Sequence, residues 1–458
     1  MYTILGAGLS GLALADHLSG AGVAYKLYEA KQHGGGHIFS EKVDGFTWDE
    51  GPHVSFTSHA YVKAYFAANC EGKYLEYPTK PTNYFKGNWI MHPAQSHLYS
   101  VPEPLRSKCV SDVIAIRESV ASDYKAQNYQ EWLDYAFGKT FAKIFPGSYT
   151  DKYWTTPPDN LATDWIGKRV YFPEISDMVE SASGPLSKQT HYINSVRYPL
   201  NGGYYSYIKK VEGRLHVKYQ KKLTQISFTE KTLLFEDGER VGYENLINTL
   251  PLPELIRKSD APAEIKHAAA SMHCSQVLLV NIVVNHPAPV NNHWIYVYDE
   301  EFYATRINFT ELLSPENGVP GKCGIQVEVY FSVYRPLNKP IEDIAAKVIE
   351  ELIIMKLIAG REAVSSYHTR WLEWANVIFD LQRIDAQRMI FDWLGTVGLA
   401  READELEPMT DWNSKTAIKL GEIILAGRFA QWKYFWTDDC VMRALFIRDS
   451  ILKAKQVC

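Results

Sequence analysis

The sequence predicts an α/β fold: a parallel-sheet domain, a second domain built on a mixed, mainly antiparallel sheet, and a helical insertion. Three observations predict it. An apolar run at Tyr2–Leu5 passes through a glycine turn into apolar residues at helical spacing, then into a second extended run, Ala24–Tyr28, the pattern of strand, helix and parallel strand. Later runs at Val277–Val284, Trp294–Tyr298, Thr305–Phe309 and Ile325–Phe331 read as strands, and the alternation of apolar and polar residues in the last two suits an antiparallel sheet. The stretch between about 95 and 190 reads as mainly helical.

Composition narrows the function classes. Hydrophobic residues are 46% and charged residues 22% of the 458, which suits a folded globular chain rather than a disordered one. Lys+Arg total 48 against Asp+Glu 53, a net charge of −5, so neither nucleic acid nor an anionic membrane is expected as a partner. No apolar run approaches the ~18 residues that would span a bilayer. The cysteines, at 70, 109, 274, 323, 440 and 458, form no C-x-x-C pair and no zinc-ligand spacing. They read as free thiols of a cytoplasmic protein without a bound metal. The mature fold is expected to begin near Tyr2, without a signal peptide. Aromatic residues are 13%, with 29 Tyr and 12 Trp, surfaces suited to gripping rings or sugars.

The first element carries chemistry. Gly6-Ala7-Gly8-Leu9-Ser10-Gly11 is G-x-G-x-x-G between strand and helix, with an acid, Glu29, 18 residues after the last glycine. Gly6 makes the tight turn, Gly8 lets backbone approach a pyrophosphate, and Gly11 lets the helix pack closely. The helix start offers free N–H groups to phosphate, and Glu29 can accept from a ribose diol. The motif predicts a dinucleotide and does not separate FAD from NAD.

Gly34-Gly35-Gly36-His37 follows, then Gly45-Phe46-Thr47-Trp48-Asp49-Glu50-Gly51-Pro52-His53. These segments resemble the FAD-binding start of the flavin amine oxidase and protoporphyrinogen oxidase superfamily. Tyr198-Pro199-Leu200-Asn201-Gly202-Gly203 and Leu246–Pro253 resemble two further turns of that family, and Leu215–Phe228 with Thr232–Phe235 resembles its hairpin under the adenosine. The resemblance implies a Rossmann-type FAD-binding domain. It implies cofactor contacts at Gly6–Gly11, Glu29, Ala30, Gly35, Gly36, His37 and His53, and at Leu223 in the hairpin.

Four segments resemble the UDP-galactopyranose mutases within that superfamily. Lys152-Tyr153-Trp154 with Trp165 and Arg169-Val170 matches a Trp against the nucleotide sugar and an Arg at its diphosphate. His293-Trp294-Ile295-Tyr296, Arg306 and Ser314-Pro315-Glu316-Asn317 match a Trp-x-Tyr strand, an Arg gripping the diphosphate and a turn. Gly427-Arg428-Phe429 through Tyr434 matches the segment at the FAD pyrophosphate and a diphosphate tyrosine. The helix after it would close on the flavin through Asp439, Cys440 and Val441. At the fourth segment, Trp374-Ala375 stands where the mutases have Tyr-Pro, and His92 stands where they have a Tyr. These two departures leave the identity of the sugar open.

The resemblance therefore implies an FAD-dependent mutase that interconverts pyranose and furanose forms of a UDP-galactose-like nucleotide sugar, with reduced flavin as nucleophile at the anomeric carbon. Catalytic roles would fall on His53, Arg169 and Arg306, and substrate contacts on Trp154, Arg169, Trp294, Tyr296, Arg306, Trp374 and Tyr434. An external reductant such as NAD(P)H would reduce the cofactor. The alternative is an FAD-dependent oxidoreductase, like an amine or protoporphyrinogen oxidase, taking hydride from its substrate. The expected domains are an FAD-binding domain from 1–80, 195–262 and 420–458, a helical substrate region at 95–190, and a mixed sheet and helix substrate domain at 263–419. In the last, helices are expected at Ile341–Leu357 and Ala386–Leu399.

Overall fold

Apolar residues at both faces of Tyr2–Leu5 make it a central strand, and the computed structural model places it at the middle of a five-stranded parallel sheet. The structure describes residues 1–120, 124–167, 170–186 and 195–457. Strand order in that sheet is Ile423–Leu425, Asn245–Asn248, Tyr2–Leu5, Tyr25–Tyr28 and Val217–Lys218, every neighbouring pair parallel. The helix Leu9–Gly20 lies against this sheet and against the C-terminal helix Thr437–Val457. Its start is very close to the strand: a Cβ on Gly11 would lie 1.9 Å from the Gly6 carbonyl oxygen, so no other residue permits that approach.

The second sheet has seven strands. Their order is Val364–Val377, Cys274–Val284, Cys323–Phe331, Arg306–Phe309, Trp294–Val297, Thr82–Phe85 and Asn88–Met91. All pairings are antiparallel except Trp294–Val297 with Thr82–Phe85. Side-chain alternation divides its central strands between two jobs. Leu278, Val280, Ile282, Val327 and Val329 pack under Ile344, Val348 and Leu352 of the helix Ile341–Ile354. Val277, Leu279 and Tyr330 point the other way, against Tyr153. The helical region includes Leu105–Ser119, Tyr129–Phe137 and Ser148–Tyr153. Asn128 caps the second of these, accepting from the Glu131 backbone N–H at 3.0 Å.

Several expectations are corrected. The run read as one strand over 215–228 is two strands in different sheets, Val217–Lys218 and Leu223–Ser227. Gln220 divides them at φ +57°, with its N–H donated to the Lys31 carbonyl at 3.1 Å. The strand Val364–Val377 was not foreseen, because it lies at the sheet edge and its burial does not alternate. The hairpin Thr82–Phe85/Asn88–Met91 falls outside the three expected domains. It turns at Lys86-Gly87, both with positive φ, the geometry that suits a two-residue hairpin.

Asp49 joins the strand Phe46–Asp49 to the seven-stranded sheet and to the chain around Tyr198 and Tyr204. Its carboxylate accepts from Ser40 Oγ at 2.6 Å, Tyr198 Oη at 2.7 Å and the Tyr204 N–H at 3.0 Å. Its own carbonyl accepts from Gln326 Nε2, in the seven-stranded sheet, at 2.9 Å. Burial pushes the Asp49 carboxyl up to about 6 despite those three donors. The folded protein therefore holds a proton that the unfolded chain has already released. That contribution is complete below pH ~4 and is lost as pH rises through about 6. The stability difference between wild type and Asp49→Asn, from urea titrations, should fall by on the order of 2–3 kcal/mol across that window. A difference that stayed flat would mean that Asp49 is charged in the fold throughout.

Candidate active site

One cavity of about 1010 Å³ lies between the sheets. Its floor is backbone. Gly6 turns at φ +93°, and a Cβ there would sit 2.4 Å from Thr249 Oγ1. The Glu29 carboxylate accepts from the Ala7 N–H at 2.7 Å and the Lys31 N–H at 2.9 Å, which holds the turn and fixes that carboxylate at the cavity edge. The helix Leu9–Gly20 starts at Gly8 with no side-chain cap and no acid in its first turn, so its leading N–H groups remain for an anion. Gly35 and Gly36, at φ +97° and +56°, lie directly on that turn: the Gly35 N–H donates to the Ala7 carbonyl at 2.8 Å. A Cβ on Gly36 would stand 3.0 Å from Gly8 Cα. Gly427, at φ +105°, closes the third side, where a Cβ would meet Ser10 Oγ at 2.6 Å. A groove walled by three glycine segments and ending at a bare helix start fits a dinucleotide, pyrophosphate at the helix and ribose at Glu29.

Of the expected cofactor residues, Gly6, Gly8, Leu9, Ser10, Glu29, Gly35, Gly36, His37, His53, Gly427, Arg428, Tyr434 and Cys440 line the cavity. Ala7, Gly11, Ala30, Leu223, Asp439 and Val441 are not on its wall. Leu223 and Val441 are buried in the core, and the Asp439 carboxylate accepts from Trp412 Nε1 and the Trp436 N–H, both at 2.7 Å. His53 Nδ1 is 2.9 Å from the Gly51 carbonyl oxygen. Since a carbonyl only accepts, the proton sits on Nδ1 and Nε2 is an acceptor. Burial pushes His53 down to about 4, so the ring is neutral at physiological pH.

The opposite wall is aromatic. Cross-strand register sets Arg306 between Tyr296 and Glu328. Tyr149 and Tyr153 lie on the helix Ser148–Tyr153, and Trp154 follows its last residue. Tyr149 meets Tyr296 edge-on at 5.3 Å, and Trp154 meets Tyr434 at 5.7 Å. Trp165 stands 5.9 Å from Tyr434. Trp294 and Trp374 also line the cavity. Arg428 lies with its guanidinium 5.1 Å from the Tyr434 ring centre, and its Nη2 donates to Asn376 Oδ1 at 2.9 Å. Tyr153 Oη donates to the same oxygen at 3.0 Å. Burial raises the Tyr149, Tyr153 and Tyr330 phenols, so they serve as neutral donors. Arg169 lies outside the described residues. Among the described residues no three His, Cys, Asp or Glu side chains converge on a metal position, and no helix is long and apolar enough to cross a membrane.

Glu328 is the main residue that sequence reasoning missed. Its buried carboxylate takes Arg306 Nε at 2.5 Å and Nη2 at 2.8 Å. A signal existed: an acid inside the apolar strand Ile325–Phe331 demands a cation opposite it. Phe137, Phe141 and Phe145 also line the cavity, Phe137 from the end of the helix Tyr129–Phe137 and the other two from beyond the break at Gly138, φ +77°.

The flavin containing amine oxidoreductase family matches residues 9–435, and the chain belongs to it. The crystal structure of reduced UDP-galactopyranose mutase superposes with a TM-score of 0.87 at 22% identity, covering 99% of this chain and 94% of that one. Identity that low carries the fold alone. Mitochondrial protoporphyrinogen oxidase of Nicotiana tabacum is 28% identical over 152 residues, 29% of this chain and 30% of its own length. Hydroxysqualene dehydroxylase of Sinorhizobium fredii is 40% identical over 67 residues, 14% of this chain and 16% of its own length. The chain thus spans under a third of the curated relatives it matches. FAD is the cofactor. Gly36→Ala should reduce bound flavin, read as visible absorbance per protein, at least tenfold. Gly72→Ala is the control, because Gly72 also has positive φ, +69°, but open space around a Cβ. It should cost about 1 kcal/mol of stability and leave flavin content unchanged.

Proposed function

We propose that the protein is a flavin-dependent mutase that interconverts pyranose and furanose forms of a nucleotide sugar such as UDP-galactose. The observation that carries the reading is the continuity of one cavity. It joins the glycine cradle to a wall of Trp154, Trp294, Tyr296 and Tyr434 with Arg306 among them. When bound and reduced, FAD would supply a nucleophilic ring nitrogen. Arg306 keeps Nη1 for a diphosphate after giving Nε and Nη2 to Glu328, and so steadies the charge of a departing nucleotide. Tyr434, with Arg169 from outside the described residues, is assigned to the same diphosphate. Tyr153 Oη and Arg428 are held by Asn376, which fixes the orientation of that side of the cavity. Neutral His53 offers Nε2 as an acceptor at the cofactor edge. The aromatic cage excludes water, which would otherwise compete for the anomeric carbon. NAD(P)H is proposed as the external reductant.

Glu328 favours a second reading. It leaves the Arg306 pair neutral, and Trp374 brings no phenolic donor, so this wall offers a diphosphate less charge and one hydrogen bond fewer than a free arginine with a tyrosine would. A flavin-dependent oxidoreductase that takes hydride from its substrate would accept such a wall.

Two measurements separate them. Dithionite-reduced protein should interconvert UDP-galactopyranose and UDP-galactofuranose, while oxidised protein should not. UDP affinity should fall at least tenfold in Arg306→Ala and rise several-fold in Glu328→Gln, with flavin content intact. No turnover by reduced protein and an unchanged UDP affinity in Arg306→Ala would reject the mutase and leave hydride transfer.

A further inference from the structure

A second buried carboxylate, Glu50, lies on the cofactor side of the cavity and has no part in the mechanism above. It follows the strand Phe46–Asp49 and lines the cavity together with Gly35, Gly36, His37, Gly51 and His53. Its side chain is 1% exposed. Arg370, on the strand Val364–Val377, donates Nη2 to Glu50 Oε1 and places Nη1 2.8 Å from Glu41 Oε1. Lys31 Nζ stands 3.7 Å from Glu50 Oε1 and His37 Nδ1 stands 3.5 Å from Glu50 Oε2. Among the described residues Glu50 Oε2 has no hydrogen-bond partner. Three cationic or ionisable side chains therefore surround one desolvated carboxylate where the Gly35–Gly36 segment and the Gly51 turn meet.

Structural need does not explain this arrangement. Asp49, the neighbouring residue, already anchors this segment to Tyr198, Tyr204 and the seven-stranded sheet through neutral donors. A buried ion pair is a poor device for stability, since the desolvation of both charges offsets their attraction. Its field, however, acts on whatever occupies the cavity, because a low-dielectric wall screens little. A carboxylate beside a flavin disfavours added electrons and a guanidinium favours them.

We propose that the Glu50–Arg370 ion pair, with Lys31 and His37 at its outer edge, sets the reduction potential of the bound flavin. Glu50 opposes reduction and Arg370 with Lys31 promotes it. The pair holds the two influences in near balance. This inference rests on FAD in the glycine cradle and is independent of the identity of the substrate.

The test is the midpoint potential of the full-length, FAD-loaded protein. It is measured by anaerobic reduction with xanthine and xanthine oxidase against a reference dye. Glu50→Gln should shift the midpoint positive and Arg370→Met should shift it negative. The Glu50→Gln/Arg370→Met double variant should return near wild type. A role in packing alone would move both single variants in the same direction, toward free FAD, and that result overturns the proposal. Lys31 is half-exposed, so Lys31→Met and Lys31→Glu keep the fold where a core variant does not. They should shift the midpoint negative, the second more than the first, and both shifts should shrink at high salt. Potentials unchanged in both Lys31 variants would equally overturn it.

Discussion

The molecule depends on backbone touching backbone. Three segments distant in sequence meet at glycines: a Cβ would stand 3.0 Å from the Ala7 carbonyl oxygen at Gly34, 3.0 Å from Gly8 Cα at Gly36 and 2.6 Å from Ser10 Oγ at Gly427. That contact brings the strand Tyr2–Leu5, the extended chain after Glu29 and the return strand Ile423–Leu425 to one point. The carboxyl ends of a parallel sheet open there by construction. A side chain at any of the three would fill the groove. The constraint therefore creates the cofactor cradle and holds the parallel sheet together at once.

The seven-stranded sheet supplies the opposite wall through the simplest property of a strand, its two-residue alternation. One face must be covered, and the helix Ile341–Ile354 covers it with aliphatic side chains. The other face is free to carry Arg306, Glu328 and Tyr330 toward the cavity. Register then does the positioning: Tyr296, Arg306 and Glu328 lie in one row across three strands. A one-residue slip would bury the arginine under the covering helix and turn aliphatic residues toward the cavity.

Much of this was legible because much of it is local. The glycine motif, Glu29, the Trp154 and Tyr434 segments and the four strand runs of the second sheet each declare themselves within a dozen residues. What escaped depends on partners far away in the chain. Glu328 becomes part of the site only through its cross-strand arginine, and Glu50 meets Arg370 across 320 residues. The split between Val217–Lys218 and Leu223–Ser227 turns on Gln220, a residue with no special liking for the left-handed conformation it adopts. The edge strand Val364–Val377 lacks a uniform buried face, so alternation had nothing to report.

The pairing of charges in this cavity bears on its aromatic richness. Each arginine described on its walls is already engaged: Arg306 by Glu328, and Arg428 by Asn376 and the Phe435 carbonyl. Arg370 behind the cofactor side is held by Glu50 and Glu41. Free cations would collapse onto one another's counter-ions or draw water into the groove. Paired ones stay in place and present fixed residual donors. With charge so restrained, shape and ring surface must supply most of the grip on a ligand. Tyr149, Tyr153, Trp154, Tyr296 and Tyr434 are stiff, apolar on their faces and polar at their tips or edges. The cavity thus combines an aromatic cage with one neutralised pair, Arg306–Glu328, and one guanidinium, Arg428, fixed by neutral acceptors.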